Sequence, residues 1–215
     1  MKAKTIKALV LALCAVLLVV STVFVTMAYL TSTTDVVHNT FTVGNVQITL
    51  DEAKVTEYGV EVAGAERVTE NEYRLIPGHT YTKDPTVTVI ANSEACYVFT
   101  KVTITNFATL QQACGNNTLL PQDFIGNWNP SVWESISYDV DENGNAVCWF
   151  AYATSVARNK TANTTLPALF TSIALPGYVE YFAGLENVKV DVTAYAIQAD
   201  GFASSEAAFT AGGWN

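Results

Sequence analysis

Val188-Lys-Val-Asp-Val-Thr-Ala-Tyr-Ala196 carries an apolar residue at every even position. Successive side chains of an extended chain point to opposite faces, so this stretch reads as a strand with one face on a core. Thr86-Val-Thr-Val-Ile90 and Val98-Phe-Thr-Lys-Val-Thr-Ile104 behave similarly, and Val46-Gln-Ile-Thr-Leu50 gives a shorter strand. Trp133 to Val140 and Ala146 to Ala153 flank Asp141-Glu-Asn-Gly-Asn145, where Asn143-Gly144 supplies the positive φ of a tight hairpin loop. Leu166 to Leu175 reads as a further strand, closed by Pro176-Gly177. Many short strands with turns at this spacing predict an all-β protein, an antiparallel β-sandwich or a barrel.

Helical signals are few. Ala108 to Ala113 predicts one short helix and Ser204 to Ala211 another. Ser204 or Ser205 can cap the second, Glu206 suits its first turn, and Gly212-Gly213 stops it. Gly115 to Pro130, rich in Asn and Pro, predicts a long surface loop.

Ahead of the strands lies a different kind of segment. Lys2, Lys4 and Lys7 precede Ala8 to Met27, 20 residues without a charge. As a helix this run spans about 30 Å, the thickness of a bilayer's hydrocarbon. It reads as an N-terminal signal or transmembrane-like helix that takes the rest of the chain out of the cytoplasm. Thr26 and Ala28 are small residues at the positions a signal peptidase reads, and no basic stop-transfer cluster follows. Cleavage after Ala28 or one residue later is expected, with an uncleaved anchor as the alternative. The organisation is therefore a signal peptide over 1–28, an arm over 29–44 and a β-domain over 45–215.

The 215 residues hold 11 Lys+Arg against 20 Asp+Glu. Without residues 1–28 the balance is 8 against 20, a net charge of -12. That argues against a nucleic-acid partner, which needs clustered bases, and against adhesion to an anionic membrane. Contact with membrane is expected only through the signal segment. Apolar residues make up 50% of the chain, too many for an extended disordered polymer.

Chemistry is sparse. His38 and His79 are the two histidines, and neither HExxH, GxSxG nor a Gly-rich phosphate loop is present. No catalytic residue, metal ligand or cofactor is assigned. Asp139, Asp141, Asn143 and Gly144 resemble a calcium loop, but no Glu follows at the twelfth position and a hairpin turn is the better account. Asp51-Glu52 and the Glu-rich run Glu57 to Glu72 read as solvated faces and edge protection. Trp128, Trp133, Trp149 and Trp214 offer a sugar platform or, better, packing. Cys96 and Cys148 read as buried thiols; one disulfide among Cys96, Cys114 and Cys148 remains open.

In the arm, Val37, Phe41 and Val43 are odd-numbered, whereas Val46, Ile48 and Leu50 are even. The apolar phase switches across Gly44-Asn45, as at a bulge or bend. The segment before Gly44 therefore reads as a separate strand on a polar, extendable lead, able to pair with its own sheet or a neighbour's.

Four stretches resemble the TasA/camelysin family of secreted fibre-forming proteins. They are Ala28-Tyr-Leu-Thr with Asn39 to Glu52, Leu75-Ile-Pro-Gly-His-Thr-Tyr-Thr-Lys-Asp-Pro-Thr-Val87, Leu169-Phe-Thr-Ser-Ile-Ala-Leu-Pro176, and Ala194-Tyr-Ala-Ile-Gln-Ala-Asp-Gly-Phe202 followed by Glu206 to Phe209. They run through nearly the whole chain in one order; 115–132 shows no counterpart. The resemblance implies a jelly-roll sandwich and removal of the signal by a SipW-type peptidase. It also implies assembly into extracellular biofilm-matrix fibres by donor-strand exchange. The donor would be Leu30 to Val43, with Val37, Phe41 and Val43 as inward knobs and Gly44 as the bend. The partner would be another copy or a related matrix subunit, at the cell surface or in the matrix. A glycan- or protein-binding module is the alternative. A camelysin-type metallopeptidase is a further one, although no recognisable zinc motif supports it.

Overall fold

The computed structural model describes residues 6–7, 10–18, 45–115, 119–179 and 185–214. The chain divides into two units, 1–42 and 43–215. In the first, residues 6–7 and 10–18 are helical. Among the described residues no helix is long and apolar enough to cross a membrane. Thr26, Ala28, Leu30, Val37, His38, Phe41, Val43 and Gly44 lie outside the described residues.

The second unit is built mostly of antiparallel strands. In chain order they are β1 (Ile48–Asp51), β2 (Thr80–Thr82), β3 (Thr86–Val89), β4 (Cys96–Thr105), β5 (Ile125–Gly126), β6 (Trp133–Val140), β7 (Ala146–Tyr152), β8 (Thr164–Thr165), β9 (Ser172–Ala174) and β10 (Lys189–Gln198). Three short helices, α1 (Phe107–Ala113), α2 (Pro121–Phe124) and α3 (Ser205–Gly212), and a 3-10 turn at Leu185–Asn187 complete it. The strands form three sheets, ordered β1-β3-β8, β10-β4-β7-β6 and β2-β9-β5. The all-β expectation holds at this level.

Register explains the packing. Val190, Val192 and Ala196 of β10 lie opposite Ile104, Val102 and Val98 of β4. Cys148 and Ala146 of β7 lie opposite Val102 and Ile104 from the other side. This apolar face joins Val87 and Val89 of β3, Tyr81 of β2, Ile125 of β5 and Ile173 of β9 in one core. The opposite face of the four-stranded sheet carries Phe99, Trp149 and Ala151, which pack with Ala208 and Phe209 of α3 as a second cluster. The period-2 pattern is thus satisfied twice, with a separate cover on each face. β6 ends that sheet, kinked by a bulge between Ser135 and Ser137.

Two expectations need correction. Leu166 to Leu175 is not one strand: only Thr164–Thr165 and Ser172–Ala174 pair. Pro167 has no N–H to give a ladder, and Leu166, Leu169 and Phe170 are buried as irregular chain. Nor is 115–130 a surface loop throughout. Leu119, Pro121, Phe124 and Ile125 are buried, and this part of the chain forms α2 and β5.

Candidate functional site

Strands β1 and β10 each have one hydrogen-bonded neighbour, β3 and β4 respectively. Among the described residues no other strand pairs with their outer edges, and the first bridge is met just past β1, between Glu52 and Val68. Both line one groove of about 1000 Å³. Leu50, Phe124, Ile173, Leu175, Val190 and Val192 give it apolar walls, and the segment 68–75 forms its rim. An unpaired edge beside apolar side chains is what an incoming extended segment requires: the edge offers N–H and C=O groups, and the pockets take alternate side chains.

One wall carries a charged cluster that the sequence did not disclose. Glu52 was expected on a solvated face, yet it is 5% exposed. Its backbone is held by reciprocal hydrogen bonds with Val68, both 2.8 Å. Its Oε2 lies 2.6 Å from Lys83 Nζ, and its Oε1 accepts from Asn71 Nδ2 at 2.9 Å. Burying such a pair costs several kcal/mol per ion unless each group finds partners, and here both carboxylate oxygens have one. Asn71 is fixed in turn: Nδ2 also donates to the Ala53 carbonyl at 2.9 Å, and Oδ1 accepts from Val55 N at 3.0 Å. The Tyr73 ring stands 5.8 Å from Lys83 Nζ. Burial first, and then the charges of Glu52 and Asp84, push the Tyr73 phenol well above its ordinary range.

A second cation stands one residue before the rim segment. Arg67 bridges the carboxylates of Asp51 and Asp84, the latter at 2.8 Å. Burial works against its charge, but the hydrogen bonds and attraction of the two acids outweigh that and raise its pKa. Asp84 Oδ1 also accepts from Ala53 N at 2.6 Å. The remaining Glu residues of the run, Glu57, Glu61, Glu66, Glu70 and Glu72, are exposed as expected.

The other singled-out residues are dispersed. His79 Nε2 donates to the Tyr58 carbonyl at 2.9 Å, and its ring packs edge-on to Tyr81. Asp141 organises the β6–β7 turn, its Oδ1 accepting from the backbone N–H groups of Asn143 and Asn145, both at 2.9 Å. These bonds, the Asn145 amide first, hold its carboxyl below the usual range. Among the described residues no group of three or more His, Cys, Asp and Glu is placed to hold a metal. Trp133 and Trp149 are buried; Trp128 stacks on Phe150, and Trp214 packs against Phe99 and Tyr195. Cys96, Cys114 and Cys148 are buried and free.

No family model, curated protein or solved structure matches the chain.

Proposed function

We propose that the protein is a secreted structural subunit of extracellular biofilm-matrix fibres, in which the N-terminal arm of one molecule completes the sheet of the next. The observation that carries this reading is the groove bounded by the free edges of β1 and β10. A second support is the arm itself, Leu30 to Val43. Its spaced apolar residues Val37, Phe41 and Val43 suit alternate pockets. Fully extended, its 14 residues reach about 45 Å, ample to cross to a neighbour. The resemblance to the TasA/camelysin family points the same way, and with it come the finer assignments: a jelly-roll sandwich, a SipW-type signal peptidase, and another copy or a related matrix subunit as partner. The mechanism is association alone. The arm exchanges solvent for the edge's backbone groups and the groove's apolar walls. Head-to-tail repetition without ring closure then yields an open filament. It needs no catalytic residue, metal or cofactor.

The test is microscopy of the signal-free protein beside a chain lacking 30–43 and beside Val190→Arg, which puts a charge against the groove. The parent should form fibres. The truncated chain and Val190→Arg should remain folded monomers by circular dichroism and sedimentation. Fibres from the truncated chain would overturn the reading. A monomeric parent with saturable glycan binding would replace it with the binding-module alternative.

A further inference from the structure

We propose that Lys83 and Asn71 become joined by an intramolecular amide bond, formed without any external enzyme and with Glu52 as the proton carrier. Three observations place the reactants. Lys83 Nζ and Asn71 Nδ2 are both hydrogen-bonded to one carboxylate, at 2.6 Å and 2.9 Å. The side chains of Lys83 and Glu52 are only 10% and 7% exposed. The Asn71 amide is oriented by the Ala53 carbonyl on its nitrogen and by the Val55 N–H on its oxygen. Anchoring an amine and an amide on one carboxylate supplies the proximity that an intramolecular reaction needs.

The step balances within the chain. The step starts with one proton passing from the Lys83 ammonium to the Glu52 carboxylate across their 2.6 Å contact. The neutral amine then attacks Asn71 Cγ, forming the Nζ–Cγ bond. The charge that develops on Oδ1 is met by the Val55 N–H already bonded to it, which acts as an oxyanion donor. Glu52 delivers its proton to Nδ2 and takes up in return the one that the amine nitrogen gives up, ending as the neutral acid. The Cγ–Nδ2 bond breaks and ammonia leaves. Nothing is oxidised or reduced, and no co-reactant is consumed. The product links the rim segment 68–75 to the residue that follows β2, on the wall of the groove. The bond would keep that wall in place under load. The proposal stands on this cluster alone and does not depend on the fibre reading.

Peptide mapping of the purified protein tests it, whichever residue begins the chain. Trypsin should release 68–74 attached to 75–101, with Lys83 uncut and the pair lighter than its two parts by one ammonia molecule. Free peptides 68–74, 75–83 and 84–101 from natively folded protein would overturn the proposal, leaving an ordinary buried ion pair. Glu52→Gln, checked for folding by circular dichroism, should abolish the linked species; linkage at the parental rate would remove Glu52 from the step. Asn71→Asp offers the same carbon with a different leaving group. It should give the same linked pair with loss of water in place of ammonia, and failure of that substitution to link would argue against attack at Cγ.

Discussion

Burial pushes the thiols of Cys96 and Cys148 up to about 11 from an ordinary 9.0. Each thiol is therefore protonated in the native chain at pH values where the unfolded chain has lost the proton. The stabilisation is complete below about pH 9 and is lost as pH rises toward 11. Tyr73 and Tyr81, raised chiefly by burial, act in the same direction at higher pH. The midpoint of thermal unfolding should fall across this window, less steeply in Cys148→Ala than in the parent; equal slopes would show that the thiol does not titrate as stated. Glu52 marks what the residue sequence concealed. Its partner Lys83 is 31 positions away, and the two meet because β1 pairs with β3, Asp51 opposite Thr86, which sets Glu52 beside the link that leads into β3. No local pattern of charge announces such a pair. The same holds for Asn71, which sits inside a run whose glutamates are mostly solvated. Buried cysteines were legible, since Cys96 and Cys148 stand in continuous apolar strand-like runs.

At the scale of elements, strong local chemistry was read correctly and weak periodicity was not. The β6–β7 hairpin followed from two strand-like runs flanking Asn143-Gly144, and Gly144 does adopt φ 76°. Helix α3 followed from its ends: Ser204 Oγ accepts from Ala207 N at 3.2 Å, and Gly213 closes it at φ 66°. Ser204→Ala should cost about 1 kcal/mol in urea unfolding. Phe209→Ala, which empties the cluster against Phe99 and Trp149, should cost about 3–5 kcal/mol. Gly59 presents a different case. At φ 72° it carries the carbonyl that accepts from Thr82 N, and an added Cβ would lie 2.5 Å from Tyr81 Cα. Gly59→Ala should destabilise by about 2–5 kcal/mol, combining left-handed strain with overpacking. The region 119–130 was misread because its Asn and Pro content suggested solvent. Its spaced Leu119, Phe124 and Ile125 are anchors, too irregular to register as a helix or a strand. The groove was likewise invisible from sequence. It is a relation between edges of two sheets, and alternation says which face is buried but not which edge is left open.

For the molecule as a whole, a net charge of -12 over residues 29–215 sets the terms of association. Copies of such a body repel one another, and salt shortens the reach of that repulsion to about 8 Å at physiological ionic strength. Growth of the proposed fibre should accelerate severalfold between about 0.01 and 0.15 M salt, followed by light scattering; a rate that falls with salt would contradict this. β6, at the far side of the four-stranded sheet from β10, offers the contrasting boundary. Ile136, Tyr138 and Val140 are 39%, 42% and 37% exposed there, an invitation to adhesion. The bulge at Ser135/Ser137 bends the backbone away from straight pairing, and Glu134 and Asp139 add like charge along it. In the proposed fibre, a body receptive on one flank and unwelcoming on the other would build threads rather than slabs: each molecule would find a single place to add, and the product would lengthen without thickening.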